Sequence, residues 1–101
     1  MFIAKVKGNV VTTQKVEQMT GRKLLIVEPL RALAGKDFEA TGQCFVAVDN
    51  IDAGVGEVVL VTQGSSARMT AQTGEAPVDC VVIGIVDSIT LDGKKFYGKG
   101  D

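Results

Sequence analysis

Ser65, Ser66 and Arg68 lie together in the run Gly-Ser-Ser-Ala-Arg (64–68), where a hydroxyl nucleophile would sit beside a cation able to clamp an anion. Such a hydroxyl needs a base, and the 101-residue chain contains no histidine. Lys5, Lys15 or Lys23 would have to take that part. The better reading is that the serines cap a helix and, as small residues, let another surface approach closely, with Arg68 making a polar contact across it. Gly54-Val55-Gly56-Glu57 has the outline of a phosphate cradle. A dinucleotide fingerprint needs a third glycine opening a helix, and a mononucleotide loop needs a closing Gly-Lys-Ser/Thr. Neither is present, so the two glycines read as a turn between strands.

Asp37, Glu39, Asp49, Asp52, Glu57 and Asp87 are spread over loops and strand ends, without the alternation of a calcium loop. The histidine and cysteine partners of a transition-metal site are also missing. No metal and no cofactor is expected, and Asp49 and Asp52 are expected to accept backbone hydrogen bonds in the turn they flank. Cys44 and Cys80 both stand in apolar stretches and read as small buried hydrophobes rather than a disulfide. Lys94, Lys95, Phe96, Tyr97 and Lys99 interleave charge and aromatic rings, the local look of a single-strand nucleic-acid patch.

The elements that must position these residues are strands. Residues 2–13 alternate, with an interruption at Gly8-Asn9 that suggests a bulge. A second run, 23–28, is ended by Pro29, and 29–43 reads as a long loop with a helical turn at 30–34. Strands follow at 44–49 and 57–62. Ser65 or Ser66 caps a short helix over 66–72, and 79–91 is the longest β run, bent at Gly84, before a basic tail at 92–101. The fold class is all-β: a small OB-like five-stranded barrel with one short helix, in a single domain over 1–101.

Composition narrows the function. Apolar residues make up 46% and charged residues 23%, as in ordinary globular domains, and a net charge of −1 supplies no field to hold a phosphate backbone. Nucleic acid is therefore disfavoured as a partner. No apolar run approaches the ~20 residues needed to cross a bilayer, and the N-terminus lacks a signal-peptide pattern, so no membrane partner and a cytoplasmic location are expected. Without histidine, most enzyme templates fail, and a non-catalytic chain is expected.

Taken in order, GNVVTTQK (8–15), GRKLLIVEPL (21–30), FVAVDNIDAGVGEVVLVTQGSSAR (45–68) and PVDCVVIGIVDSI (77–89) resemble the EutN/CcmL family of bacterial microcompartment vertex proteins. The resemblance implies a barrel that assembles into a homopentamer and caps the vertices of a polyhedral shell made mainly of hexameric proteins. On the matching motifs it implies an assembly surface or pore at Asn9, Thr13, Gln14 and Lys15, at Gly54, Gly56 and Glu57, and at Ser65, Ser66, Ala67 and Arg68. The small residues at 54–56 or 65–67 are the ones expected near the five-fold axis. The alternative, from a different class, is an OB-type module binding single-stranded nucleic acid through Phe96, Tyr97 and the tail lysines.

Overall fold

The computed structural model describes residues 1–13, 17, 21–32, 38–64 and 79–99. Among these residues eight strands are present: β1 (Phe2–Val10), β2 (Lys23–Arg31), β3 (Glu39–Ala40), β4 (Phe45–Asp49), β5 (Val58–Gln63), β6 (Cys80–Ile85), β7 (Ser88–Leu91) and β8 (Lys94–Gly98). Five of them run in the order β1-β5-β6-β4-β2, and β2 pairs again with β1, which closes the sheet into a barrel. All neighbours are antiparallel except β4 and β6, which meet in parallel through Val48↔Val81 and Asp49↔Val82.

The period-2 alternation of β-branched and aliphatic residues fills this barrel. Ala4, Val6, Leu25, Val27, Ala47, Val59, Val61, Cys80 and Val82 form one buried cluster from all five strands. At the start of β1 and β4, Phe2 and Phe45 add a ring pair with centroids 5.9 Å apart. The interruption expected in the first strand is a bulge: the register of β1 against β2 shifts between Val6 and Gly8. No helix of the described residues is long and apolar enough to cross a membrane.

Several expectations are corrected. β2 does not end at Pro29 but runs to Arg31, so Leu30 and Arg31 are strand and not a helical turn. In an antiparallel sheet a residue's N–H and C=O face the same neighbour. The Pro29 carbonyl accepts hydrogen bonds from Thr41 N (3.1 Å) and Thr41 Oγ1 (2.9 Å), so the missing N–H also faces away from β1. The pairing Ala4↔Pro29 with β1 loses no bond. The loop expected at 29–43 accordingly contains β3, which pairs with the end of β2 through Leu30↔Ala40 and Arg31↔Glu39.

The run 79–91 is two strands rather than one. β6 leaves the barrel after Ile85, where Val86 N donates to Val58 O at 2.8 Å, and β7 then pairs with β8 as a separate hairpin. The tail therefore contains a strand, Lys94–Gly98. Its turn, Asp92-Gly93, has φ of 53° and 75°, the left-handed pair of a two-residue type I′ connection. Cys44 is exposed, not buried, since it precedes the first residue of β4; Cys80 is buried and both thiols are free. Burial pushes the Cys80 thiol above its ordinary pKa, with Asp79 adding to the effect, so it stays protonated and acts as core. The helix expected at 66–72 lies outside the described residues.

Candidate assembly surface

Between β4 and β5 the chain crosses one mouth of the barrel, and buried charge shapes the crossing. Asp49, the last residue of β4, points along the inward row of Ala47, and its side chain is fully buried. Its Oδ1 accepts from Ile51 N at 2.9 Å and its Oδ2 from Ala53 N at 2.6 Å. A carboxylate in that position replaces the ladder partners the chain loses when it turns. Lys23, at the start of β2 and opposite Asp49 in register, brings its Nζ to 3.4 Å from Asp49 Oδ2. The same ammonium donates to Asp52 Oδ1 at 2.8 Å and to the Ala53 carbonyl at 2.9 Å. Asp49 thus accepts the expected backbone bonds, whereas Asp52, at φ 60°, binds Lys23 instead. The hydrogen bond between Lys23 and Asp52 holds the lysine above, and the aspartate below, their ordinary pKa values.

The next four residues form the turn that carries three of the expected assembly residues. Glu57 N donates to Gly54 O at 3.1 Å, and Gly56 has a φ of 93°, which is the pattern of a type II turn with glycine at its third position. The backbone is fixed to β1 by Gly56 N to Val6 O and Val6 N to Glu57 O, both 2.9 Å. Glu57 then closes the turn with its side chain: Oε1 accepts from Gly54 N at 2.6 Å and Oε2 from Lys99 Nζ at 2.7 Å. Lys99 follows β8, and its own N–H donates to Asp87 O at 2.7 Å, so one carboxylate ties the turn to the base of the C-terminal hairpin.

The Lys99 hydrogen bond, followed by the one from Gly54 N, holds the Glu57 carboxyl below the ordinary glutamate pKa. A depressed carboxylate pKa means that the tie contributes stability above the unfolded value and loses it as pH falls through the folded one. Glu57→Gln is therefore expected to be less stable than the parent at pH 7, with the gap closing as pH is lowered through and below the ordinary carboxylate range. Thermal melts of both proteins across that range check it, and a gap independent of pH would contradict the role of the charge.

Gly54, Gly56 and Glu57 are thus brought together, with both glycines exposed. Asn9 lies on β1 opposite Leu25, and Thr13 follows the strand; both are exposed, and no side-chain hydrogen bond among the described residues joins either to the turn. Gln14, Lys15, Ser65, Ser66, Ala67 and Arg68 lie outside the described residues. Sequence reasoning singled out neither Lys23 nor Lys99 as a partner in these networks. Register supplies one signal, since Lys23 faces Asp49 across the β2–β4 pair, while Lys99 is 42 positions from Glu57 and had none.

The family described as ethanolamine utilisation protein EutN/carboxysome matches residues 1–87. The chain belongs to the EutN/CcmL family. It is 43% identical to the bacterial microcompartment shell vertex protein EutN of Salmonella typhimurium over 99 residues, 98% of this chain and 96% of that one. The structure of Gloeobacter violaceus CcmL superposes with a TM-score of 0.91 at 40% identity, covering both chains completely. The pentameric microcompartment shell protein GrpN of Rhodospirillum rubrum superposes with a TM-score of 0.76 at 40% identity, over 90% of this chain and all of that one. The closed barrel of this EutN/CcmL chain is therefore the architecture of known shell proteins, and the Asp49 and Glu57 networks are how this sequence builds its turns.

Proposed function

We propose that this chain is a structural shell protein, a homopentamer that caps the vertices of a polyhedral bacterial microcompartment in the cytoplasm, with residues 1–101 acting as one vertex domain. The observation that supports it best is likeness at the level of the whole chain to a shell protein whose assembly is pentameric. The relatives named as vertex proteins point the same way. Geometry requires such a unit, because a flat layer of hexagons closes only where pentagons interrupt it, and a cyclic ring repeats one heterologous interface until it meets itself. The partners are then other copies of the chain and, at the rim, hexameric shell proteins, and no reaction is asked of the protein.

Native mass spectrometry of the untagged protein tests this directly. A species of five times 10.6 kDa is expected; a monomer at every concentration would refute the reading. Within it, Asn9, Thr13, Gln14, Lys15, Gly54, Gly56, Glu57 and the segment Ser65 to Arg68 form the assembly surface. Charge reversal by Arg68→Glu is expected to shift the population from pentamer toward smaller species at equal concentration. An unchanged mass distribution would remove Arg68 from the interface.

Single-strand nucleic-acid binding is not favoured. Phe96 is half-buried and packs edge-on against Phe38, with centroids 5.9 Å apart, rather than standing open as a stacking platform.

A further inference from the structure

The hairpin β7–β8 stands beside the outer face of β1 and β2 with a space between them. A pocket of about 320 Å³ remains, lined by Lys5, Lys7, Glu28, Phe38, Phe96 and Tyr97 among others. That volume is at the small end of ligand sites.

Charge in the pocket is unbalanced. Glu28 is already engaged, with Oε1 3.8 Å from Lys7 Nζ and Oε2 accepting from Gly42 N at 3.0 Å. Lys5 stands opposite Glu28 in the β1–β2 register, yet makes no ion pair with it. Two ammonium groups therefore share a wall with one committed carboxylate. The other walls are apolar. Phe38 and Phe96 meet in a T-shaped contact at 5.9 Å, and Lys94 Nζ lies 5.3 Å from the Phe96 ring centroid. Leu30, Ala40, Gly56, Val58 and Ile89 complete the lining, and Ile89 is 9% exposed.

We infer that this pocket binds a small organic anion with an apolar body, of the short-chain carboxylate class. The anionic head lies against Lys5 and Lys7, and the hydrocarbon part lies between the phenyl rings and Ile89. Charge-assisted hydrogen bonds to lysine supply selection for the anion, and burial of the chain supplies the remaining affinity. The lining also includes Gly56 of the proposed assembly surface, so the inference goes beyond the vertex reading but rests on that surface leaving the pocket open in the pentamer.

The protein carries its own reporter, because Tyr97 is the one tyrosine and there is no tryptophan. Full-length protein is titrated with sodium hexanoate while tyrosine emission is followed, with sodium chloride at matched ionic strength and 1-hexanol as controls. Saturation-transfer NMR on the hexanoate methylene protons gives a second readout. A saturable response to hexanoate is expected in at least one of them, weakened by about fivefold or more in Lys5→Gln, with the hexanol response unchanged by that substitution. Lys5 is exposed, so this variant keeps the fold, and its far-UV circular dichroism confirms that. Phe38→Ala is expected to weaken both ligands. The inference is overturned by the lack of a saturable response in both readouts, by hexanoate and hexanol behaving alike, or by unaltered hexanoate affinity in Lys5→Gln.

Discussion

Asp49→Ala is expected to lower the stability of the fold by about 2–4 kcal/mol, because it strands a buried donor and removes a buried charge partner at once. The Ala53 N–H that bonds Asp49 Oδ2 at 2.6 Å belongs to a residue with 0% exposure, so water cannot readily take the place of the carboxylate. Lys23 keeps Asp52 and the Ala53 carbonyl, which limits the electrostatic part of the loss. Asp49→Asn, which retains one acceptor, should fall between alanine and the parent. The same substitution frees the 50–57 crossing that presents Gly54, Gly56 and Glu57, so the pentamer fraction should fall along with the stability. Urea denaturation gives the first quantity and native mass spectrometry the second. A change below about 0.5 kcal/mol would show that the turn is held by its backbone bonds alone.

Leu25→Ala should cost about 2–5 kcal/mol, the range for removing a large aliphatic side chain from a packed core. Leu25 is 1% exposed, lies between Asn9 of β1 and Ala47 of β4 in register, and is among the largest fully buried side chains. Ala47 opposite it cannot reach into the vacated space, so collapse around the cavity is limited. For a domain of this size the midpoint of thermal unfolding should drop on the order of 10 °C or more. Parent and variant must be compared at one protein concentration, since association shifts apparent stability. Exposed Val11, at 87% exposure, provides the contrast: Val11→Ala should leave the midpoint almost unmoved.

The barrel was legible in the sequence because its signal is local. Ala4 and Val6, Leu25 and Val27, Val59 and Val61 alternate with outward residues at the period of a pleated strand, and each pair sits in the core. What lay outside the barrel was harder to read. The run from Asp79 to Leu91 is mostly β-branched and aliphatic, and only the pair Asp87-Ser88 hints at the point where β6 gives way to β7; that point is set by Val86 bonding to Val58, a contact between distant residues. The hairpin itself had a signal that went unused, since Asp92-Gly93 between Ser-Ile-Thr-Leu and Lys-Lys-Phe-Tyr is a strong short-range mark of a two-residue turn. Pro29 misled for the opposite reason. A proline argues against a strand only where its missing N–H would face a partner, and which way it faces follows from Thr41, twelve positions away. The glycines of the 54–57 turn were read as a turn, as the structure has them, but the residue that locks them, Lys99, is distant in sequence.

Closure of the barrel also governs how the protein can aggregate. Each of β1, β2, β4, β5 and β6 has a strand on both sides, so the unpaired amide and carbonyl groups left on them are confined to short stretches, such as Phe45 to Ala47 of β4, which pairs with β6 only at Val48 and Asp49. The other free edges among the described strands are those of β3, which is two residues long, and of the hairpin, where Lys94 and Lys95 place positive charge beside any incoming strand. Runaway cross-β growth finds only short or charged templates among the described strands. With so little open edge among the described strands, contacts between copies fall chiefly to side chains, and such contacts can be finite, reversible and corrected.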